Sequence, residues 1–362
     1  MSIIKKTSHL RIAVIGNINK IISAKSSAGT EIWTYDFCSS LQERGLEVTL
    51  FSNVESSIPN CKNIHNVSMN IMSQNNYLDY YYENIKQILH FIEIQDDFDL
   101  VHVSLFTYEI FLAFIKYIRI PICITVHSDF FSQNIFDQIN NERNKKIHFC
   151  FVSKNQKRQV NCSKSSVIYN GINCSKFDKY LSKDVKKENY LFWIGRMCQN
   201  KGAHDAIKIA KKLNMRLILC GPVEDVSYYN SCIKPYLDNK IQYKGVLDLK
   251  EKIYFYEHAI ATLVPIHGNE PFGLINIESM YCGTPIISYD RGAQKEIVEN
   301  GKTGFIVNEN NTEEVIECIN KVQSIDGRYC KNFVKEKFDI NIMIDSYISV
   351  YMELLENNRC EI

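Results

Sequence analysis

Residues 268–287 read GNEPFGLINIESMYCGTPII. Upstream, Ile260 to Val264 is short, β-branched and closed by Pro265, which predicts a strand; Pro285 to Ser288 predicts another. Between them, Pro271 and Gly273 shape a turn into a helical segment over 273–282. A strand, a helix and a second strand joined by short loops require a parallel sheet. Such sheets bind ligands in the crevice outside the carboxyl ends of their strands, where Glu270 and the helix start fall.

The same alternation extends in both directions. Downstream of residue 180, strands are expected at Tyr190 to Ile194, Arg216 to Leu219 and Gly304 to Val307, with helices near 202–213, 226–237, 248–257 and 312–322. Upstream, strands are expected at Arg11 to Ile15, Val48 to Phe51, Leu100 to Val103, Ile122 to Val126, Phe149 to Val152 and Val167 to Tyr169. A helix carrying Trp33, Phe37 and Leu41 at four-residue spacing ends at Arg44-Gly45. Leu105 to Ile118 reads as a buried core helix, too short and too charged to span a bilayer. The chain therefore carries two doubly wound α/β domains: 1–180, then 181–340 after the polar linker KFDKYLSKDVKKEN. A final helix within 341–362 is expected to pack back towards the first domain.

Composition agrees with a soluble globular protein of 362 residues, which is more than one core usually serves. Lys plus Arg number 42 against 41 Asp plus Glu, so no nucleic-acid surface follows from bulk charge. The 13 cysteines are odd in number and contain no Cys-x-x-Cys pair, which argues for buried thiols in a reducing cytoplasm over disulfides or zinc. MSIIKKTSHL lacks the apolar stretch of an export signal. The nine histidines show no metal-like spacing, and no metal or cofactor is expected.

Glu270 and Glu278 are separated by seven residues, one before the helix and one inside it. The N–H groups of Gly273, Leu274 and Ile275 lack helical partners and suit a phosphate; Phe272 stands in the same turn. A carboxylate can accept from two neighbouring hydroxyls, so the two glutamates fit a sugar and a ribose. Capping and dipole compensation are the alternative reading of paired Glu at a helix start. Arg196 and Lys201 follow the strand Tyr190 to Ile194 in WIGRMCQNKG and can lie against a diphosphate, or be ordinary surface cations. In the first domain, Gly29 and Thr30 open a helix, and His127 follows the strand Ile122 to Val126. No Gly-x-Gly-x-x-Gly, Walker lysine loop or Gly-x-Ser-x-Gly elbow is present.

Together these segments resemble a family 4 glycosyltransferase of the GT-B fold, two Rossmann-like domains facing each other across a cleft. The resemblance rests on AGTEIW, ERGLEVTLFS, FDLVHVS, ICITVH and VIYNGIN in the first half. In the second half it rests on FWIGRMCQNKG, LILCGP, EPFGLINIESMYCGTPII and EIVENGKTGFIV. One departure is Ala28, which precedes Gly29 where the family usually has a second glycine. By position, the resemblance implies that Arg196 and Lys201 hold a donor diphosphate and stabilise its departure. It gives Glu270 the donor sugar, Glu278 the ribose, and His127 a place beside the sugar, with Gly29 supporting the phosphate. Cys220, Gly221, Gly245 and Val246 would form the base pocket. It further implies a retaining, metal-independent transfer of a hexosyl group, with a UDP-sugar favoured over a GDP-sugar, to a small-molecule or cell-surface glycan acceptor. Loops around 53–84 and 105–143 would choose the acceptor. Peripheral membrane contact would fall on the basic cluster Arg143 to Arg158. A sugar-nucleotide epimerase of the same fold and a non-catalytic nucleotide-sugar binder are the competing readings.

Overall fold

The computed structural model describes residues 10–26, 28–67, 77–129, 131–141 and 146–359. MSIIKKTSHL up to His9, Cys360, and parts of the two expected acceptor loops and of the basic cluster lie outside the described residues. The chain divides into two units, Met1–Asn170 with Ile340–Ile362, and Gly171–Asp339. The division thus falls at 170/171 where the linker composition suggested 180/181, because Cys174–Asp178 is a short helix whose Cys174 and Phe177 are buried within the second unit.

In the first unit the strands are β1 Arg11–Ile15, β2 Glu47–Asn53, β3 Lys62–Val67, β4 Leu100–Val103, β5 Ile122–Val126, β6 Ile147–Phe151 and β7 Ser165–Val167. They form one parallel sheet in the order β3-β2-β1-β4-β5-β6-β7. Burial on both faces explains why most of them are continuous apolar runs; every residue of β4 and β5 is buried. The longer helices here are α1 Gly29–Glu43 and α2 Tyr77–Glu93. In the second unit β8 Tyr190–Ile194, β9 Arg216–Cys220, β10 Ile241–Tyr243, β11 Ala261–Val264, β12 Ile286–Tyr289 and β13 Gly304–Val307 pair in parallel in the order β10-β9-β8-β11-β12-β13. Its longer helices are α3 Ala203–Lys212, α4 Leu249–His258, α5 Leu274–Tyr281, α6 Thr312–Lys321 and α7 Gly327–Lys337.

The last helix, α8 Ile340–Arg359, belongs to the first unit. Ile344, Tyr347 and Tyr351 are buried against the Trp33–Phe37–Leu41 stripe of α1. Each such side chain contributes about 1.5–3 kcal/mol on burial. The two tyrosine hydroxyls are satisfied inside the core: Tyr347 pairs with Thr125 Oγ1 at 2.8 Å and Tyr351 with His102 Nδ1 at 2.6 Å.

Three expectations are corrected. Leu105 to Ile118 is not one helix but a short α-turn, Glu109–Leu112, and a 3-10 turn, Ile115–Tyr117. Its buried residues Tyr108, Phe111, Ile115 and Ile118 do recur at helical spacing, but the backbone that carries them is broken into these two short turns. Residues 226–237 likewise split into three short turns, the last starting at Lys234 with Pro235 directly behind it. Finally, β3 and β10 were not anticipated; each is the outermost strand beside β2 or β9.

Candidate active site

In each unit the sheet order reverses beside its first strand, between β1 and β4 in one and β8 and β11 in the other. Strands diverge there and leave a crevice at their carboxyl ends. In the second unit Lys201 follows β8 and Glu270 follows β11, so the two meet at that point: Lys201 Nζ donates to Glu270 Oε2 at 2.6 Å, with side chains 22% and 18% exposed. Their loops are fixed by backbone. Gly202, with φ of 72°, lets the chain pass Pro265 so closely that a Cβ would stand 1.8 Å from its carbonyl oxygen. Trp193 Nε1 donates to Lys201 O at 3.2 Å, and Ala293 N donates to Glu270 O at 2.9 Å.

Lys201, Glu270, Gly273 and Ile275 line one recess together with Trp193, Ile194, Ile266, Asn276 and Gln294. Gly273 is the residue before α5 and takes φ of 90°; no side chain caps the helix. The N–H of Asn276 returns to Gly273 O at 3.0 Å, and the amides of Gly273, Leu274 and Ile275 carry the positive end of the helix dipole. An ammonium, a carboxylate with one oxygen engaged and an open helix terminus therefore share one wall. This combination can hold an anion and accept from hydroxyls.

The other predicted residues of this unit lie elsewhere. Arg196 is half exposed and gives its guanidinium to Glu224, at 2.5 and 2.6 Å to the two carboxylate oxygens. Glu278 is buried on α5, where Oε1 accepts from Lys252 Nζ at 2.7 Å and Oε2 from Tyr256 OH at 3.0 Å. Both Glu278 oxygens are thus already engaged by α4. Phe272 is buried with its ring 5.9 Å from Phe338. Gly221 donates its N–H to Gly245 O at 2.8 Å and accepts from Tyr243 OH at 2.7 Å. Cys220 is buried at the end of β9, and Val246 is exposed in the loop after β10.

In the first unit Gly29 and Thr30 open α1 behind Ala28, which offers no side-chain cap. His127 stands at the end of β5, its Nε2 3.1 Å from Ser104 Oγ and its ring edge-on to Trp33 at 4.6 Å. Burial lowers its pKa to about 3, so it is a neutral hydrogen-bonding group and not a cation at physiological pH. His102, deeper in the same sheet, is also lowered by burial.

Sequence spacing hid two further groupings. Asn276 and Gln294 meet in the recess, Nδ2 to Oε1 at 2.7 Å, although eighteen residues apart. His204, Asp205 and His267 also converge, with ligand-type atoms within 4.8 Å of one another. Their atoms are engaged by neighbours. Asp205 accepts from Lys208 at 2.9 Å and from Tyr289 at 3.3 Å, His204 Nδ1 meets Tyr228 OH at 2.7 Å, and His267 bridges Asp205 at 2.8 Å and Glu309 at 3.0 Å. Neither grouping carries a sequence signature, because polar partners brought together by separate helices and loops leave no periodic trace.

Residues 27–176 match Glycosyltransferase Family 4, and residues 177–338 match Glycosyl transferases group 1. The chain belongs to glycosyltransferase family 4. Curated relatives include an uncharacterized glycosyltransferase of Methanocaldococcus jannaschii, 26% identical over 216 residues that make up 54% of each chain. A capsular polysaccharide biosynthesis glycosyltransferase of Staphylococcus aureus, CapM, is 24% identical over 52% of this chain and 54% of its own. The chain spans about half the length of the curated relatives it matches. A glycosyltransferase structure from Rickettsia africae superposes with a TM-score of 0.78 at 21% identity, over 96% of this chain and 99% of that one. Anabaena HepE, solved with UDP-glucose, gives 0.74 at 16% identity, over 95% and 100%. These neighbours share the GT-B fold with this chain. Among the described residues, no helix is long and apolar enough to cross a membrane.

Proposed function

We propose that this protein moves a hexosyl group from a nucleotide-diphosphate sugar to a hydroxyl of a small-molecule or cell-surface glycan acceptor. The observation that carries the reading is the Lys201–Glu270 pair at 2.6 Å beside the uncapped start of α5. A departing diphosphate needs positive charge that is in place before the bond breaks, which an ammonium and a helix terminus supply without reorganisation. Glu270 Oε1 accepts from the donor sugar hydroxyls while Lys201 orients the carboxylate through Oε2. Arg196 serves the diphosphate after leaving Glu224, and Glu278 holds the α4–α5 packing from which a ribose contact is made. His127, Gly29 and Thr30 are the first unit's proposed substrate contacts. His127 would orient substrate as a neutral partner. A side-chain nucleophile is not needed; the anomeric configuration is retained by attack on the face from which the diphosphate leaves, the phosphate oxygen taking the acceptor proton. A UDP-sugar is the favoured donor, as in the HepE complex, and the chain works in the cytoplasm without a metal.

The test is a thermal-shift panel of UDP, GDP, ADP and their hexose conjugates. A ligand at about 100 times its Kd stabilises the native state by about 2.7 kcal/mol. The bound donor is then incubated with acceptors, and the anomeric proton of the product is read by NMR. An inverted product would overturn the retaining assignment; interconversion of nucleotide sugars without acceptor would favour the epimerase reading.

A further inference from the structure

Asn276 and Gln294 are both fully buried, yet Asn276 Oδ1 and Gln294 Nε2 have no hydrogen-bond partner. Leaving a buried amide group unpaired is costly, so two on hydrogen-bonded neighbours call for a partner. They lie at the start of α5: a Cβ on Gly273 would stand 2.7 Å from Asn276 Nδ2 and 3.3 Å from Gln294 Nε2. Both side chains line the recess that Lys201 and Glu270 also line. That recess holds about 20 Å³, against the roughly 10–15 Å³ that one water-sized group occupies.

The chemistry of the missing partner follows from the pairing. One amide N–H of Asn276 is spent on Gln294 Oε1. Turning both amides over exchanges the roles but leaves the same remainder, one free carbonyl and one free NH₂. A phosphate oxygen, which only accepts, satisfies half of that pair. A hydroxyl both donates and accepts, and satisfies all of it. We infer that the Asn276–Gln294 amide pair reads one hydroxyl of the donor hexose, next to the hydroxyls taken by Glu270, and so helps to set which sugar is transferred. The inference rests on the nucleotide-sugar reading above and assigns the amide pair a positioning and specificity role, not a chemical step.

The experiment compares binding of a nucleoside diphosphate and of its hexose conjugate by calorimetry in the wild type and in Gln294→Met, which keeps the shape and removes the amide. The probes are UDP with UDP-glucose and UDP-galactose, and GDP with GDP-mannose. The wild type is expected to bind one conjugate more tightly than its bare diphosphate. In Gln294→Met that advantage falls about tenfold, while affinity for the bare diphosphate stays within twofold. Monodeoxy analogues of the bound sugar then identify the hydroxyl: the analogue lacking it binds the wild type about tenfold more weakly and loses nothing further in the variant. Equal losses for diphosphate and conjugate, or no loss, overturn the inference and leave the donor reading standing. A wild type that binds none of the probes overturns both. Should Gln294→Met fail to fold, Gln294→Glu takes its place, since it keeps an acceptor towards Asn276 Nδ2 and removes the free donor.

Discussion

The two sheets place corresponding strands around corresponding switch points, yet they furnish them with opposite chemistry. At the carboxyl ends of β8 and β11 stand an ion pair, an uncapped helix and two amides with spare hydrogen-bonding capacity. At the ends of β4 and β5 stand Ser104 and His127, closed in by Trp33 and held neutral by burial. Deeper in that sheet His102 joins Thr125 at 3.0 Å and Tyr351 at 2.6 Å, linking the strands to α8. The lesson is that topology fixes where a crevice opens, and the side chains after the strands decide whether it carries charge. One crevice carries an ion pair beside an open helix terminus, and the other a neutral hydrogen bond beside an aromatic ring.

The contrast can be broken most forcefully at Glu278. Its buried pairing with Lys252 means that Glu278→Ala strands an ammonium that is only 14% exposed. Losing one partner of such a pair costs about 3–5 kcal/mol, read as a lowered urea midpoint. Glu270→Ala strands a somewhat more exposed ammonium, Lys201 at 22%, and should lower the urea midpoint by a smaller amount. Equal destabilisation by the two substitutions would mean that Glu270 is as structural as Glu278.

Next in size is the chemistry of the charged crevice. Lys201→Ala should lower turnover by about 10²- to 10³-fold at saturating donor, the scale of removing one preorganised electrostatic contact, with circular dichroism unaltered. Near-normal turnover in that variant would remove Lys201 from the reaction and leave the helix terminus and Arg196 to stabilise the diphosphate.

These two glutamates also show what a sequence exposes. Their spacing, the glycine turn and the cations after β8 were legible because each has a local signature. The pairing of Glu278 with α4 was not legible, since Lys252 and Tyr256 reach it from a neighbouring helix. The central strands announced themselves as apolar runs, most of their bounds within a residue or two of the observed ones. The edge strands did not: KNIHNV is polar and IQY spans three residues, so pairing with β2 or β9 makes them strands. Leu105 to Ile118 misled for the opposite reason: Tyr108, Phe111, Ile115 and Ile118 recur at helical spacing, yet two short turns and not one helix carry them.

The neutral crevice has a pH signature of its own. Folded His127 takes up a proton only near pH 3, whereas an unfolded histidine does so near pH 6.5. Between those values the unfolded chain binds more protons, so stability is full above about pH 6.5 and is lost as the pH falls. One such group contributes a slope of up to about 1.4 kcal/mol per pH unit, and His102 adds to it in the same direction. Urea titrations between pH 7.5 and 5 should show this slope, reduced by about one proton in His127→Gln. An unchanged slope would place a charged histidine at the end of β5 and erase the contrast between the two crevices.

The smallest effect is expected at the exposed rim of the charged crevice, where Arg196 and Glu224 pair with side chains 53% and 47% exposed. A pair this open contributes about 0–1 kcal/mol to stability, so Glu224→Gln should barely move the melting temperature. Its effect on ligand binding has the opposite sign. If Arg196 must leave Glu224 to reach a diphosphate, releasing it beforehand removes a cost of binding and raises affinity for the nucleoside diphosphate by a few-fold, most clearly at low salt. Arg196→Ala should weaken the same affinity. A fall in affinity in Glu224→Gln would show that the carboxylate orients Arg196 for the ligand, and the charged crevice would then be preassembled at Arg196 as it is at Lys201.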